Sequence, residues 1–150
     1  MSSTCTIYGC ILGGGLFGSP SSLPLYHHNQ QVIQNLPKYV SLEQNVLLSS
    51  SMFTAPMPDD EQLTLFFREQ MIHFGLSANH FHSYWKDWLN QFENLLRNLY
   101  WGEAYVHLTD EIMLGHTQYY WYADVSVYHE KPPRPIEKWK FTGGPRHFVY

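Results

Sequence analysis

A chain of 150 residues that is 44% hydrophobic and only 15% charged has the material for one packed domain, which excludes a disordered acidic or basic tail. The formal net charge of -4 and the nine scattered lysines and arginines supply no basic stripe, so nucleic acid is disfavoured as a main partner and a basic protein is permitted. Aromatics at 17% favour a domain that packs rings and also presents them at a contact surface.

Residues 4–12, "TCTIYGCIL", read as a strand rich in Thr, Ile and Tyr. Cys5 and Cys10 lie five apart on it, so they point to opposite faces and cannot bridge to each other. That usage suits a reduced compartment, and the start has no positively charged leader. No apolar run reaches the length of a membrane span, so the expected location is cytoplasmic with no membrane partner. The following "GGGLFG" (13–18) matches G-x-G-x-x-G in letters. The fingerprint needs its last glycine to open a helix that faces a pyrophosphate. Here "SPSSLP" follows, and no suitable acid stands after a second strand, so a glycine-rich loop and no cofactor are expected.

The spacing of Leu25, Val32, Ile33 and Leu36 predicts a helix that begins near Tyr26 and is ended by Pro37. Residues 45–54 read as a second strand. Pro56, Pro58, Asp59, Asp60 and Glu61 mark an exposed loop, and 63–67 extend a strand or form a short helix. Residues 69–77 alternate, with Ile72, Phe74 and Leu76 on one side and Met71, His73 and Gly75 on the other. The clearest element is a predicted amphipathic helix over 79–101, about six turns long, capped by Ser77 or Asn79 and ended at Gly102. Residues 103–110 and 117–128 alternate and are expected to form an antiparallel hairpin. The tail, 129–150, is rich in Pro and Gly and is expected to be extended, with "IEKWKF" its ordered piece.

The order β-α-β-β-α-β-β predicts a single α+β domain over 1–150. Its antiparallel sheet should carry two helices on one face, in ferredoxin-like order plus an extra strand and the extended tail. Alternation then sends Ala104, Val106, Leu108, Tyr119, Trp121 and Ala123 to the core. Glu103, Tyr105, His107, Tyr120, Tyr122 and Asp124 go to the far face. That face is aromatic and weakly acidic, and either the tail, a homodimer contact or another macromolecule could cover it. Asp59, Asp60 and Glu61 in one loop, with Asp110 and Glu111 in another, could steer a basic partner while the tyrosines anchor it.

Nine histidines raise metal and acid–base chemistry. His80 and His82 diverge on a helix, and His27 and His28 are adjacent and diverge. His73 and His107 could be cross-strand neighbours, but no third ligand is evident, so no metal is expected. "HLTD" and "HTQY", at His107 and His116, share letters with the paired H-x-T motifs of phosphodiesterases, although the second departs from the pattern and only nine residues part them. "SSS" (49–51) is not a nucleophile elbow, and no catalytic residue is assigned.

Residues 69–122 resemble small bacterial immunity proteins encoded beside polymorphic toxins of contact-dependent inhibition and type VI secretion systems. The resemblance rests on a W-x-x-W-L-x-x-F-E-x-L-L helix flanked by strands, here Trp85, Trp88, Leu89, Phe92, Glu93, Leu95 and Leu96. It implies a protein that binds one cognate toxin domain and blocks its active site or substrate path, with no catalysis of its own. Two other classes stand beside it. A small enzyme would use His73, His107 or His116 as acid or base. An RNA-binding sheet would use the exposed aromatics, but the strand tyrosines lie beside Glu and Asp rather than Lys and Arg.

Overall fold

The computed structural model describes residues 4–13, 23–55, 70–79, 81–110, 115–123, 130–134 and 139–146. Its elements are β1 (Thr4–Leu12), α1 (Leu23–Gln34), β2 (Phe53–Thr54), β3 (Met71–Asn79), α2 (Trp85–Arg97), β4 (Glu103–Asp110), β5 (Gly115–Ala123) and β6 (Trp139–Gly143). The fold is α+β, with an open antiparallel sheet in the order β2-β3-β1-β4-β5-β6. β1 lies between β3 and β4, antiparallel to both.

Period-two alternation divides every long strand. Ile7 and Ile11 of β1, Ile72 and Phe74 of β3, Ala104, Val106 and Leu108 of β4, and Tyr119, Trp121 and Ala123 of β5 are buried on one side. α2 covers them, because its apolar residues return every three or four positions and Trp85, Trp88, Leu89, Phe92, Leu95 and Leu96 all point inward. Trp88 stacks between Trp85 and Phe92, with ring centroids 5.1 Å away on each side. Phe92 meets Phe74 at 5.3 Å and Trp121 at 5.1 Å. α1 joins the same core through Tyr26 and Ile33. Asn29, 2% exposed, donates to Gln70 Oε1 and to the Tyr100 carbonyl, and its own Oδ1 accepts the Tyr100 N–H. A buried amide with both ends bonded carries little desolvation penalty and fixes how α1 meets the chain leaving α2.

Several sequence expectations are corrected. α1 starts at Leu23, ahead of Tyr26, with Pro24 in its first turn, where a missing N–H costs nothing. Of residues 45–54, only Phe53–Thr54 form a strand, preceded by a 3-10 turn over Ser50–Met52. Leu47 and Leu48 are buried without a ladder, and their stretch is tied down by the Leu47 N–H on Gln91 Oε1 and the Ser50 N–H on the Pro37 carbonyl. The long helix is cut at both ends: β3 runs on through Asn79, and a 3-10 turn (Phe81–Tyr84) leads into α2. Asn98, not Gly102, caps the other end, its side chain donating to the Asn94 carbonyl. The C-terminal segment is ordered where expected, at 139–141. It supplies β6, which pairs with β5 from Tyr119↔Gly143 to Ala123↔Trp139.

That last strand is held from two sides. The Trp85 indole N–H donates to Tyr119 Oη at 2.9 Å, and Tyr119 Oη donates onward to the Pro145 carbonyl at 2.5 Å. Arg146 pairs with Glu93 of α2, which also accepts the Trp121 indole N–H at 3.1 Å. Arg134, 1% exposed, donates to the Trp101 carbonyl at 2.9 Å and lies over the Trp101 ring. Burial lowers its guanidinium to about 10, still charged at neutral pH.

Candidate functional site: the open face of the sheet

The alternate strand residues, on the side away from the helices, are half-buried or exposed. Cross-strand register sets their neighbours. Tyr8 sits opposite His107, Tyr105 opposite Tyr120, and Glu103 opposite Tyr122. Two ring clusters result. In the first, Tyr8 stacks on His107 with centroids 4.8 Å apart and planes 9° apart. His107 Nδ1 lies 3.0 Å from His116 Nε2. The two imidazole planes differ by 4° and their centroids are 5.2 Å apart. That separation is close to the N···N distance plus the two ring radii, so the rings lie edge to edge in nearly one plane, sharing one N–H···N hydrogen bond. Burial, and then a charge on His116, lower the pKa of His107. His107 therefore takes up a proton reluctantly.

The second cluster is phenolic. Tyr105 and Tyr120 have centroids 4.8 Å apart, and Tyr120 and Tyr122 have theirs 6.4 Å apart. The Glu103 carboxylate accepts from both Tyr105 Oη (3.4 Å) and Tyr120 Oη (3.3 Å), two long bonds. Burial and the Glu103 charge raise both phenol pKa values, so both stay protonated as donors at neutral pH. Beside this cluster a recess of about 420 Å³ is lined by Tyr105, Gln118, Tyr120, Thr142 and Gly143.

Of the residues expected on this face, Glu103, Tyr105, His107, Tyr120 and Tyr122 come together there. Asp59, Asp60, Glu61, Glu111 and Asp124 lie outside the described residues. Asp110 is a correction. The β4 alternation carries one step further than a loop reading allows, so Asp110 turns inward, is 1% exposed, and accepts from Cys5 Sγ at 3.1 Å. It is a buried polar contact and no part of an acidic rim. His73 and His107 are not neighbours, because β1 separates their strands and His73 faces Cys10. The pairing of His107 with His116 was not foreseen as a hydrogen bond, although both residues stood out in the H-x-T-like letters. Tyr8, 45% exposed, was missed; alternation around the buried Ile7 was the signal for it.

Among the described residues the face carries the carboxylate Glu103 and, beside Tyr122, the cation Lys140. Aromatic and imidazole rings dominate it, and charge does not. Among the described residues, no group of three or more His, Cys, Asp or Glu could hold a metal ion. No described helix is long and apolar enough to cross a membrane. Of the helix residues that carry the family resemblance, Trp85, Trp88, Leu89, Phe92, Leu95 and Leu96 are core, and Glu93 is half-buried and pairs with Arg146. Comparison of the chain with models of known families, with curated proteins and with solved structures finds no match in any of the three.

Proposed function

We propose that the chain is a stoichiometric binding protein that grips another protein through the open sheet face, and that it acts as an immunity protein, covering the active site or substrate path of a cognate secreted bacterial toxin. The observation that carries the reading is the array of Tyr8, Tyr105, Tyr120 and Tyr122 on a face that the helices leave uncovered. Tyrosine buries a large rigid area at small entropic cost and keeps a hydroxyl for the partner, which is why it recurs as an interface anchor. With Asp110 buried, steering by acids has less support than anchoring by rings.

The test is co-expression with the product of the neighbouring gene. A 1:1 complex that abolishes the neighbour's toxicity is expected. Tyr105→Ala and Tyr120→Ala should each weaken that complex by about 1–4 kcal/mol in a calorimetric titration. No complex, or affinities unmoved by both changes, would remove the reading.

A second reading has one observation in its favour: the His107–His116 hydrogen bond lies close to a recess with phenolic donors. A lowered pKa keeps the His107 imidazole unprotonated at neutral pH, the form in which a general base acts. Protection from the toxin that persists in His107→Ala and His116→Ala variants excludes it.

A further inference from the structure

In the helix layer, on the other side of the sheet from the tyrosines, a groove of about 530 Å³ runs between α1, the connection that follows it, and α2. Its floor is apolar: Val32, Leu36, Leu48 and Leu95. Its rim is made of primary amides, Asn35 and Asn45 on one side and Asn90, Asn94 and Asn98 on the other. Among the described residues, none that lines it is charged.

The three amides of α2 stand four residues apart, so they form a row along one edge of the helix. Asn is among the weaker helix formers, and this exposed edge would be more stable with Ala, Lys or Glu. Gln91 is already used, accepting the Leu47 N–H and donating to the Asn45 carbonyl, which fixes the facing wall. Asn98 spends its Nδ2 on the Asn94 carbonyl and keeps its Oδ1. The side chains of Asn90 and Asn94 bond to nothing among the described residues and are exposed to solvent.

The pitch of the row is informative. Four residues of α-helix rise about 6 Å. Two residues of an extended chain advance about 6.7 Å. Alternate residues of such a chain present their N–H and C=O to the same edge, and an Asn amide offers both a donor and an acceptor to meet them. Their side chains point alternately, so every second one can enter an apolar floor. An uncharged rim has no counter-ion for an acidic or basic ligand, and burying an unpaired charge there would be costly.

We propose that this groove binds an extended, uncharged peptide segment of another protein. The Asn90–Asn94–Asn98 row reads the segment's main chain, and the floor takes its alternate apolar side chains. The site is independent of the open sheet face.

The experiment is selection of phage-displayed random heptapeptides on the full chain, with an Asn90→Ala/Asn94→Ala variant as the counter-target. Enriched peptides should lack Asp, Glu, Lys and Arg and carry apolar residues at alternate positions. Synthetic copies should bind the variant at least tenfold more weakly. N-methylation of alternate main-chain amides should cost at least tenfold as well. Because Ala is the better helix former, the variant should melt no lower than the parent. Asn94→Asp, which keeps the side chain's shape but replaces its amide donor with a charged acceptor, should also lose binding and serves if the double variant folds poorly. Tyr105→Ala/Tyr120→Ala should bind the peptides normally. The proposal is overturned if no peptide distinguishes parent from variant, if the enriched peptides are charged, or if N-methylated peptides bind as well as unmodified ones.

Discussion

The two faces of the sheet are built from the same strands and the same kinds of residue. Tyr119 and Tyr120 are adjacent in sequence and differ in almost every physical respect. Tyr119 is fully buried, and its hydroxyl accepts from Trp85 and donates to Pro145. Tyr120 is half-buried, held by a tilted ring contact and one long hydrogen bond to Glu103. On the covered side, Tyr119 and Trp121 have their polar atoms matched by partners within the fold, Trp121 by Glu93, while the indole N–H groups of Trp88 and Trp139 are buried with no acceptor among the described residues. On the open side the hydroxyls of Tyr105 and Tyr120 make only long bonds to Glu103, which leaves hydrogen-bonding capacity for something else. Aromatic content alone does not separate the two faces; for Tyr119 and Tyr120 the difference lies in burial and in how well each hydroxyl is bonded.

The strongest way to break this comparison is Trp88→Ala. It empties the middle of the Trp85–Trp88–Phe92 stack and should cost about 3–5 kcal/mol in urea unfolding. Trp88→Phe should cost much less, because the Trp88 indole N–H is buried with no acceptor among the described residues. Next is Gly9→Ala. A Cβ at Gly9 would stand 1.9 Å from the Tyr105 carbonyl oxygen and 2.8 Å from Phe74, so β1 and β4 would have to part. A loss of about 1–3 kcal/mol is expected, with broadened NMR lines along both strands.

The paired changes Tyr119→Phe and Tyr120→Phe sharpen the contrast. The first strands the Trp85 donor and the Pro145 acceptor and should cost about 1–3 kcal/mol; the second should stay within about 0.5 kcal/mol. Equal losses would contradict the division into a structural and a contact face. The smallest effect is the pH response of the histidine pair. His107 is depressed in the fold, so below about pH 6.5 the unfolded chain binds the proton more readily. The stability present above that pH is lost as pH falls through the folded value. A melting series between about pH 8 and about pH 5 should show that decline, and His107→Gln should flatten it.

The sequence carried the faces well. Alternation in 69–77, 103–110 and 117–123 sorted inward from outward residues as found, because a period of two admits only two sides. It carried helix length poorly. Leu99 and Trp101 continue the apolar rhythm of α2 and are fully buried, yet they lie beyond the Asn98 cap. Apolar spacing reports contact with a core, and a chain can keep that contact after its helical hydrogen bonds stop. Leu47 and Leu48 make the same point for a strand that never pairs. A loop reading misplaces Asp110 because it weighs the charge above the position in the alternation, which turns the side chain inward. The His107–His116 bond needed a register between two strands, which no local pattern encodes.

The end of the chain gains weight from the way β6 is held. A truncation before Trp139 would uncover Phe141's side of Trp121 and Tyr119, take the Pro145 acceptor from the Tyr119 O–H, and leave the Glu93 carboxylate without its guanidinium. What reads as a proline-rich appendage is thus a closing wall of the core, and shortening it to ease crystallisation or to attach a reporter would damage the interior itself.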